Sequence, residues 1–238
     1  MGSSSRSIAR LTLDNVHDLP PSCRACAFWE LDPVARARAE LNGTTTEEKE
    51  AWVSRVLLEW GSCGRLLYVD GEPAGYALYA PPRYVPGAGG FPTSPAGDDA
   101  VLLAALMVRP EYSGGGLGRV LVQAVVKDVL GRGGIRAIEA FGDRRPPRDG
   151  RAGCVIPADF LLRVGFKTHR PHVRYPRFRM DLRSVLTWRE EVEQALEKLI
   201  WAVRPRPAPA PAPADRVGSG THLFGEDPPH RAPTIFPG

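Results

Sequence analysis

The chain has 238 residues, 43% of them hydrophobic, and a formal net charge of +4. That length suits one sizeable core with an appendage. The longest apolar run, AVLLAALMV at residues 100–108, is far short of the roughly 20 residues that a membrane-spanning helix needs, so no span is predicted. The opening MGSSSRSIARLTLDN lacks the apolar centre of a signal peptide, and Arg6 stands where a myristoylation signal wants Ser or Thr; the expected location is cytoplasmic. The positive excess is almost all arginine, since lysine occurs only at positions 49, 127, 167 and 198. A run of Arg144, Arg145, Arg148, Arg151, Arg170, Arg174, Arg177, Arg179 and Arg183 suits phosphates or an acidic partner. No nucleic-acid motif accompanies it, and a solvated surface is the expectation. Four cysteines, Cys23, Cys26, Cys63 and Cys154, are too few for a disulfide scaffold and fit reduced thiols.

In chain order, IARLTLDN (8–15) reads as a strand and TTTEEKEAWVSRVLLEWG (44–61) as a helix capped near Thr45 or Thr46. GRLLYVDGEPAGYALYAP alternates around Asp70-Gly71 and predicts a hairpin of strands 65–69 and 74–80. A Pro/Gly loop leads to an apolar strand at 100–108. RVLVQAVVKDVLGRG then carries apolar residues at helical spacing, with Gly131 near its end. IRAIEAFG is a strand, PADFLLRVGF a short helix with Pro157 in its first turn, and RYPRFRMDL a final strand. THRPHVRYPR before it reads as a hairpin in which His169 and His172 are exposed. The order predicts a mixed α/β (α+β) fold, a mixed sheet flanked by helices and not doubly wound. SVLTWREEVEQALEKLIWAV predicts an amphipathic helix over 184–203, packed on the domain or on a second copy, so that a homodimer is one arrangement it allows. The Pro-Ala alternation that follows cannot build a core, and residues 204–238 are placed outside the fold as a disordered tail. The globular domain is expected over 1–183.

Between the strand at 100–108 and its helix lies RPEYSGGGLGRVLVQ, with four glycines in five positions. A strand, a glycine-rich turn and a helix make an anion site, because the first-turn amides lack helical partners and the macrodipole adds about half a positive charge. The letters do not fit a P-loop, since Gly118 is followed by Arg119 and Val120. A GxGxxG frame fails too, ending on Arg119 or Leu121.

LMVRPEYSGGGLGRVLV resembles the acetyl-CoA motif of the GCN5-related N-acetyltransferases (GNAT), Q/R-x-x-G-x-G/A after a strand ending V-x-P. Val108 and Pro110 match the strand exit, and Gly116 and Gly118 the motif glycines; Ser113 replaces the Gln/Arg. DGEPAGYALY and FLLRVGF extend the likeness, strongest over residues 64–166. The resemblance implies a mostly antiparallel mixed sheet whose fourth and fifth strands splay. It implies acetyl-CoA as acyl donor, with the amides of Leu106, Met107 and Val108 meeting the pantetheine arm and thioester. Gly114, Gly115, Gly116, Leu117, Gly118 and Arg119 would wrap the diphosphate. The acceptor is a primary amine on a small molecule or a protein.

Direct transfer needs a neutral amine and an acid for the leaving thiolate. A lysine-like amine is neutral about one part in 2,500 at pH 7, a penalty of roughly 4.6 kcal/mol, while an α-amine near 8 pays about 1.4. Many members carry a carboxylate on the fourth strand; here Leu103, Ala104 and Ala105 occupy those positions. Glu139 is the replacement by location, on a strand face with Ile135, Ala137 and Phe141 that would raise its pKa. An arginine-paired carboxylate is the equally weighted alternative. Glu30 in CRACAFWEL is a second candidate base. The family's tyrosine acid is replaced by Leu161, and Tyr175 is the candidate substitute. Cys23-x-x-Cys26 is half of a zinc-ribbon spacing with no second half, so no metal is expected; redox regulation or plain thiols remain for these residues. The rival function is an acyl-CoA-binding sensor that transfers nothing.

Overall fold

The structure is a computed structural model, and residues 4–146 and 153–182 are described. The helix expected over 184–203, the tail over 204–238 and Arg148, Arg151 and Arg183 of the arginine run lie outside the described residues. The elements are β1 (Arg6–Arg10), α1 (Pro21–Arg24), α2 (Pro33–Asn42), α3 (Thr45–Trp60), β2 (Gly64–Val69), β3 (Glu72–Ala80), β4 (Ala100–Val108), α4 (Leu117–Leu130), β5 (Ala137–Asp143), β6 (Ile156–Pro157), α5 (Ala158–Arg163), β7 (Lys167–Arg170) and β8 (Arg177–Asp181), with short 3-10 turns between some of them. Seven strands run in the order β1-β2-β3-β4-β5-β8-β7, and β6 pairs with β5. All neighbours are antiparallel except β4 with β5 and β5 with β6. The mixed sheet flanked by helices is thus as expected.

Local chemistry sets most boundaries. Asp70 and Gly71 both take positive φ, 52° and 86°, the pair that a tight hairpin turn between right-twisted strands demands. Asp70 is held there by the Ser5 amide and the Ser4 hydroxyl at 2.7 and 2.8 Å. The first strand ends at Arg10, five residues earlier than expected. Thr12 donates its amide to Asn15 Oδ1 at 2.8 Å, and this local bond diverts the chain into a 3-10 turn over Leu13–Asp18. The N-cap of α3 is Thr44, without a side-chain cap bond, not Thr45 or Thr46. The unpredicted α2 has Asp32 accepting from Val34 and Ala35, Pro33 in its first turn and Gly43 in the left-handed region at its end.

The alternation of the strands divides the core in two. Leu67, Val69, Val101, Leu103, Ile138 and Ala140 face α4 and α5, where Leu121, Val125 and Val129 are buried. Leu66, Tyr76, Leu78, Leu102, Ala104 and Phe141 face α3 and the N-terminal segments, where Trp29, Trp52 and Val56 are buried. Each such side chain removed from water stabilises the fold by about 1.5–3 kcal/mol, so the amphipathic α4 is held as a clamp over the strands that carry the site.

Candidate active site

β4 and β5 pair only at Ala100–Leu102 with Ala137–Glu139. Beyond Leu102 the strands part, while β4 continues against β3 as far as Val108 with Gly75. The backbone edge of Leu103–Val108 that would have met β5 is therefore open. In the gap β6 joins β5, Ile156 opposite Gly142. The glycine turn closes the end of the gap: Gly114 and Gly116 have φ of +85° and +76°, conformations that cost a residue with a Cβ about 1 kcal/mol or more. Gly116 is the N-cap of α4. None of the amides of residues 114–118 donates to a described backbone carbonyl. A cavity of about 640 Å³ runs along these parts, lined by Leu106, Met107, Val108, Gly114, Gly116, Leu117, Gly118 and Arg119 from one side and Val155, Ile156 and Phe160 from the other. Unpaired amides at a helix N-terminus and a long apolar slot suit a ligand with an anionic diphosphate and a slender, amide-bearing arm. Gly115 belongs to the same turn but does not line the cavity, and Ser113 spends its hydroxyl on the Arg109 carbonyl at 3.3 Å.

Gly118 is needed for space. A Cβ there would lie 2.8 Å from Phe160 Cε2, so α4 and α5 approach across a glycine. Arg119 donates to the Arg163 carbonyl at 3.1 Å, which ties the same two helices together.

The profile of the Acetyltransferase (GNAT) family matches residues 16–148, more than half of the chain. The chain belongs to this family. No curated protein matches the sequence. Among solved structures, this GNAT chain is similar to a PaiA N-acetyltransferase from Thermoplasma acidophilum in complex with coenzyme A, at 14% identity over 74% of this chain and 99% of that one, with a TM-score of 0.48. It is similar to a GNAT-family putative acetyltransferase from Desulfovibrio desulfuricans at 20% identity, 76% and 99% coverage and a TM-score of 0.44. An N-acetyltransferase from Staphylococcus aureus matches at 15% identity, 75% and 99% coverage and a TM-score of 0.49.

The three candidate catalytic side chains of this GNAT chain do not converge on the cavity. Glu139 is fully buried at the closed end of the splay, opposite Leu102. Arg177 Nη1 lies 3.1 Å from its Oε2 and Arg179 Nη1 3.0 Å from its Oε1, and the Gly97 amide donates to Oε2 at 3.1 Å. The expected apolar environment is thus replaced by two guanidiniums, and the arginine-paired alternative describes the geometry. Ile135 precedes the strand and packs with the α4 side instead. Arg177 and Arg179, read from sequence as part of a solvated patch, are committed to this network; Arg179 also binds Asp99 at 2.8 Å and Asp181 at 3.0 Å. Glu30 is buried and bonded to the buried Lys49, with the Trp29 amide donating to its other oxygen at 3.2 Å. Tyr175 stands edge-on to Phe91 at 5.4 Å, in a stack that continues through Phe141 and Trp29. Among the described residues its hydroxyl has no hydrogen-bond partner. His172 accepts the Arg174 and Tyr175 amides at 3.1 and 2.9 Å and so fixes the turn that presents Tyr175.

Leu161 is fully buried among the α4-side residues, while its neighbour Phe160 lines the cavity. The sequence reading named the cysteines, but not that Cys154 is brought to Cys26 on the other face of the splay. Cys26 and Cys154 sulfurs are 3.3 Å apart, and the Tyr76 hydroxyl donates to Cys23 Sγ at 2.8 Å. Tyr76 sits opposite Met107 in the β3–β4 register. The hydrogen bond from Cys154 lowers the Cys26 thiol to about 6 against the opposing effect of burial, helped by the Phe28 amide and Lys49. The same bond and burial raise Cys154. Burial, then the nearby Cys23, pushes Tyr76 well above its ordinary value.

Proposed function

We propose that the chain is an acetyl-CoA-dependent N-acetyltransferase that transfers the acetyl group to a primary amine by direct attack on the thioester. The observation that supports this most is the open edge of Leu103–Val108 running into the unpaired amides of the Gly114–Gly118 turn. Acetyl-CoA supplies the activated acetyl group. The chain's own parts then have distinct tasks. The residue 114–119 turn binds the diphosphate through amides and the α4 dipole, and the amides of Leu106, Met107 and Val108 orient the arm. One of the latter, aimed at the carbonyl oxygen, stabilises the negative charge that develops there, a contribution of about 3–4 kcal/mol for a well-placed donor.

Of the three candidate groups, Tyr175 is the one with an unengaged proton donor; it does not line the cavity, so its role as acid requires the thiol end of the cofactor to reach past the cavity lining toward Phe91. Glu139 and Glu30 are each bonded to cations, so base catalysis by either requires the pair to open. An acceptor amine of low pKa, such as an α-amine, reduces the need for a base by about 3 kcal/mol relative to a lysine-like one. The small size of Ala104 and Ala105 leaves no carboxylate on β4 to take that part.

Titration calorimetry with acetyl-CoA, followed by CoA release over an amine panel, tests the reading. Gly116→Asp, which sets a carboxylate in the diphosphate cradle, is expected to weaken acetyl-CoA at least about tenfold, or 1.4 kcal/mol. Unchanged affinity in that variant would place the cofactor elsewhere. A second reading, an acyl-CoA-binding sensor, is favoured by the two neutralised carboxylates and the core position of Leu161. It predicts tight acetyl-CoA binding with no CoA released by any amine.

A further inference from the structure

We propose that Cys26 and Cys154 form a hydroperoxide-oxidisable thiol pair that closes to a disulfide on the face of the splay opposite the α4 cavity. The two residues are 128 positions apart in sequence, yet their sulfurs lie 3.3 Å from each other. A disulfide needs about 2.05 Å, so a shift of little more than 1 Å completes the bond. Cys154 is exposed and Cys26 half-buried, which gives a small oxidant a path to both. The backbone at Cys154 is anchored by the buried Trp29, whose indole donates to the Cys154 carbonyl at 2.7 Å. Trp29 is three residues from Cys26, so one segment holds both sides of the pair in register.

Of the other two cysteines, one is shielded from an oxidant and the other has a tyrosine hydroxyl, not a second sulfur, as its hydrogen-bond partner. Cys63 is fully buried, and burial pushes its thiol up to about 12. Cys23 is engaged by the Tyr76 hydroxyl. Cys26, near 6, is mostly thiolate at neutral pH. Relative to an ordinary thiol near 9 this raises the reactive fraction about 90-fold. The accompanying loss of intrinsic nucleophilicity is about 20-fold, which leaves a net advantage of about fourfold.

The chemistry balances with a hydroperoxide as oxidant. The Cys26 thiolate attacks one peroxide oxygen; the S–O bond forms, the O–O bond breaks, and the departing alkoxide or hydroxide takes up a proton. Cys154 sulfur then attacks the Cys26 sulfenic acid; the S–S bond forms, the S–O bond breaks, and the Cys154 proton leaves with the hydroxyl as water. Two thiols and one hydroperoxide thus give a disulfide, an alcohol or water, and a water. The bond would staple the segment after α1 to the approach to β6, beside residues 153 and 155 that line the cavity.

The test uses the full reduced chain, hydrogen peroxide at about one equivalent, and a maleimide quench in denaturant so that the buried Cys63 is labelled too, with no reliance on acetyl transfer. Expected are two labelled cysteines in place of four, a Cys26–Cys154 cross-linked peptide on non-reducing mapping, and full relabelling after dithiothreitol. In Cys154→Ser the cross-link should vanish and a dimedone adduct accumulate at Cys26, while Cys23→Ser should leave the cross-link intact. A Cys23–Cys26 link, oxidation of Cys63 as fast as Cys26, or four labelled cysteines after treatment would overturn the proposal.

Discussion

The strongest single test of how the sheet is opened is Glu139→Gln. Glu139 is fully buried, and the side chains of its partners Arg177 and Arg179 are 5% and 16% exposed. At 3.0 Å and an effective dielectric near 20, each contact is worth about 5.5 kcal/mol before desolvation is subtracted. Glutamine keeps the shape and can still accept from Gly97, but its amide group then faces a guanidinium, donor against donor. Removing one partner of such a buried cluster costs about 3–5 kcal/mol. For a chain of this size that is a fall in Tm of roughly 6 to 20 °C. Thermal unfolding of the full chain reads it directly. Asp99→Asn is the control, because Asp99 is 39% exposed and its pair with Arg179 should matter by less than about 1 kcal/mol. A Glu139→Gln variant that melted within about 2 °C of the parent, yet lost more than about a hundredfold in turnover, would refute the ion-pair reasoning and return Glu139 to the role of base.

Three further outcomes follow from the same geometry. Gly118→Ala pushes a methyl to 2.8 Å from Phe160; it should cost about 1–3 kcal/mol of stability and loosen acetyl-CoA in calorimetry, whereas Gly114→Ala, with nothing within 4 Å of the new carbon, should show only the backbone cost. Leu161→Tyr, which restores the family's phenol, should destabilise by about 1–3 kcal/mol through overpacking without raising turnover, since position 161 points into the core; a gain in turnover would show that the helix can rotate. On acidification, Asp99 is held below its ordinary value, chiefly by the hydrogen bond from Arg179. Asp128 is also lowered: burial is its largest influence and acts upward, but Arg132, Arg65 and Tyr79 together outweigh it. A carboxylate with a depressed folded pKa contributes stability above its unfolded value and loses it as pH falls through the folded one. Urea midpoints of a Cys26→Ser variant, which removes the thiol near 6, should therefore be flat near neutrality and drop below about pH 4; a drop already at pH 6 would contradict these pairings.

The fold was legible wherever the signal was local. The Asp70-Gly71 turn, the apolar β4 and the three-four spacing of α4 all rest on short-range rules, and the glycine turn after Pro110 could be placed from its letters alone. α2 carried a readable signal as well, in Asp32, Pro33 and Gly43, but its face is polar and periodicity passes over it. β7 shows no alternation, because all four of its residues are exposed, and it was readable only as the first arm of the hairpin with the last strand. The catalytic candidates were less legible because they depend on contacts across the chain. Whether Glu139 is a free carboxylate is decided by β8, some 40 residues later, and the sulfur of Cys154 meets that of Cys26 from 128 residues away. Neither pairing leaves a trace in local spacing.

These long-range contacts explain why the sheet parts where it does. A parallel strand leaves its neighbour only if the abandoned hydrogen bonds are met by something else. Glu139 stands opposite Leu102, the last paired residue of β4, and is gripped by Arg177 and Arg179 of β8, so β5 is pulled toward β8 at the point where β4 departs. Beyond it, Gly142 takes β6 as its new partner on the vacated side, while its amide donates to the Pro176 carbonyl at 3.0 Å on the other. The edge of β5 is thereby satisfied within the chain, and the edge of β4 is the one left for a ligand. Under the proposed function, that asymmetry is what would put the binding edge at Leu106–Val108. On that reading the clamp at Glu139 would set cofactor affinity from a distance of about 13 Å along the strand, four residues at about 3.3 Å each. If the clamp works this way, Glu139→Gln should weaken acetyl-CoA even at temperatures where the variant is fully folded, and Asp99→Asn should not.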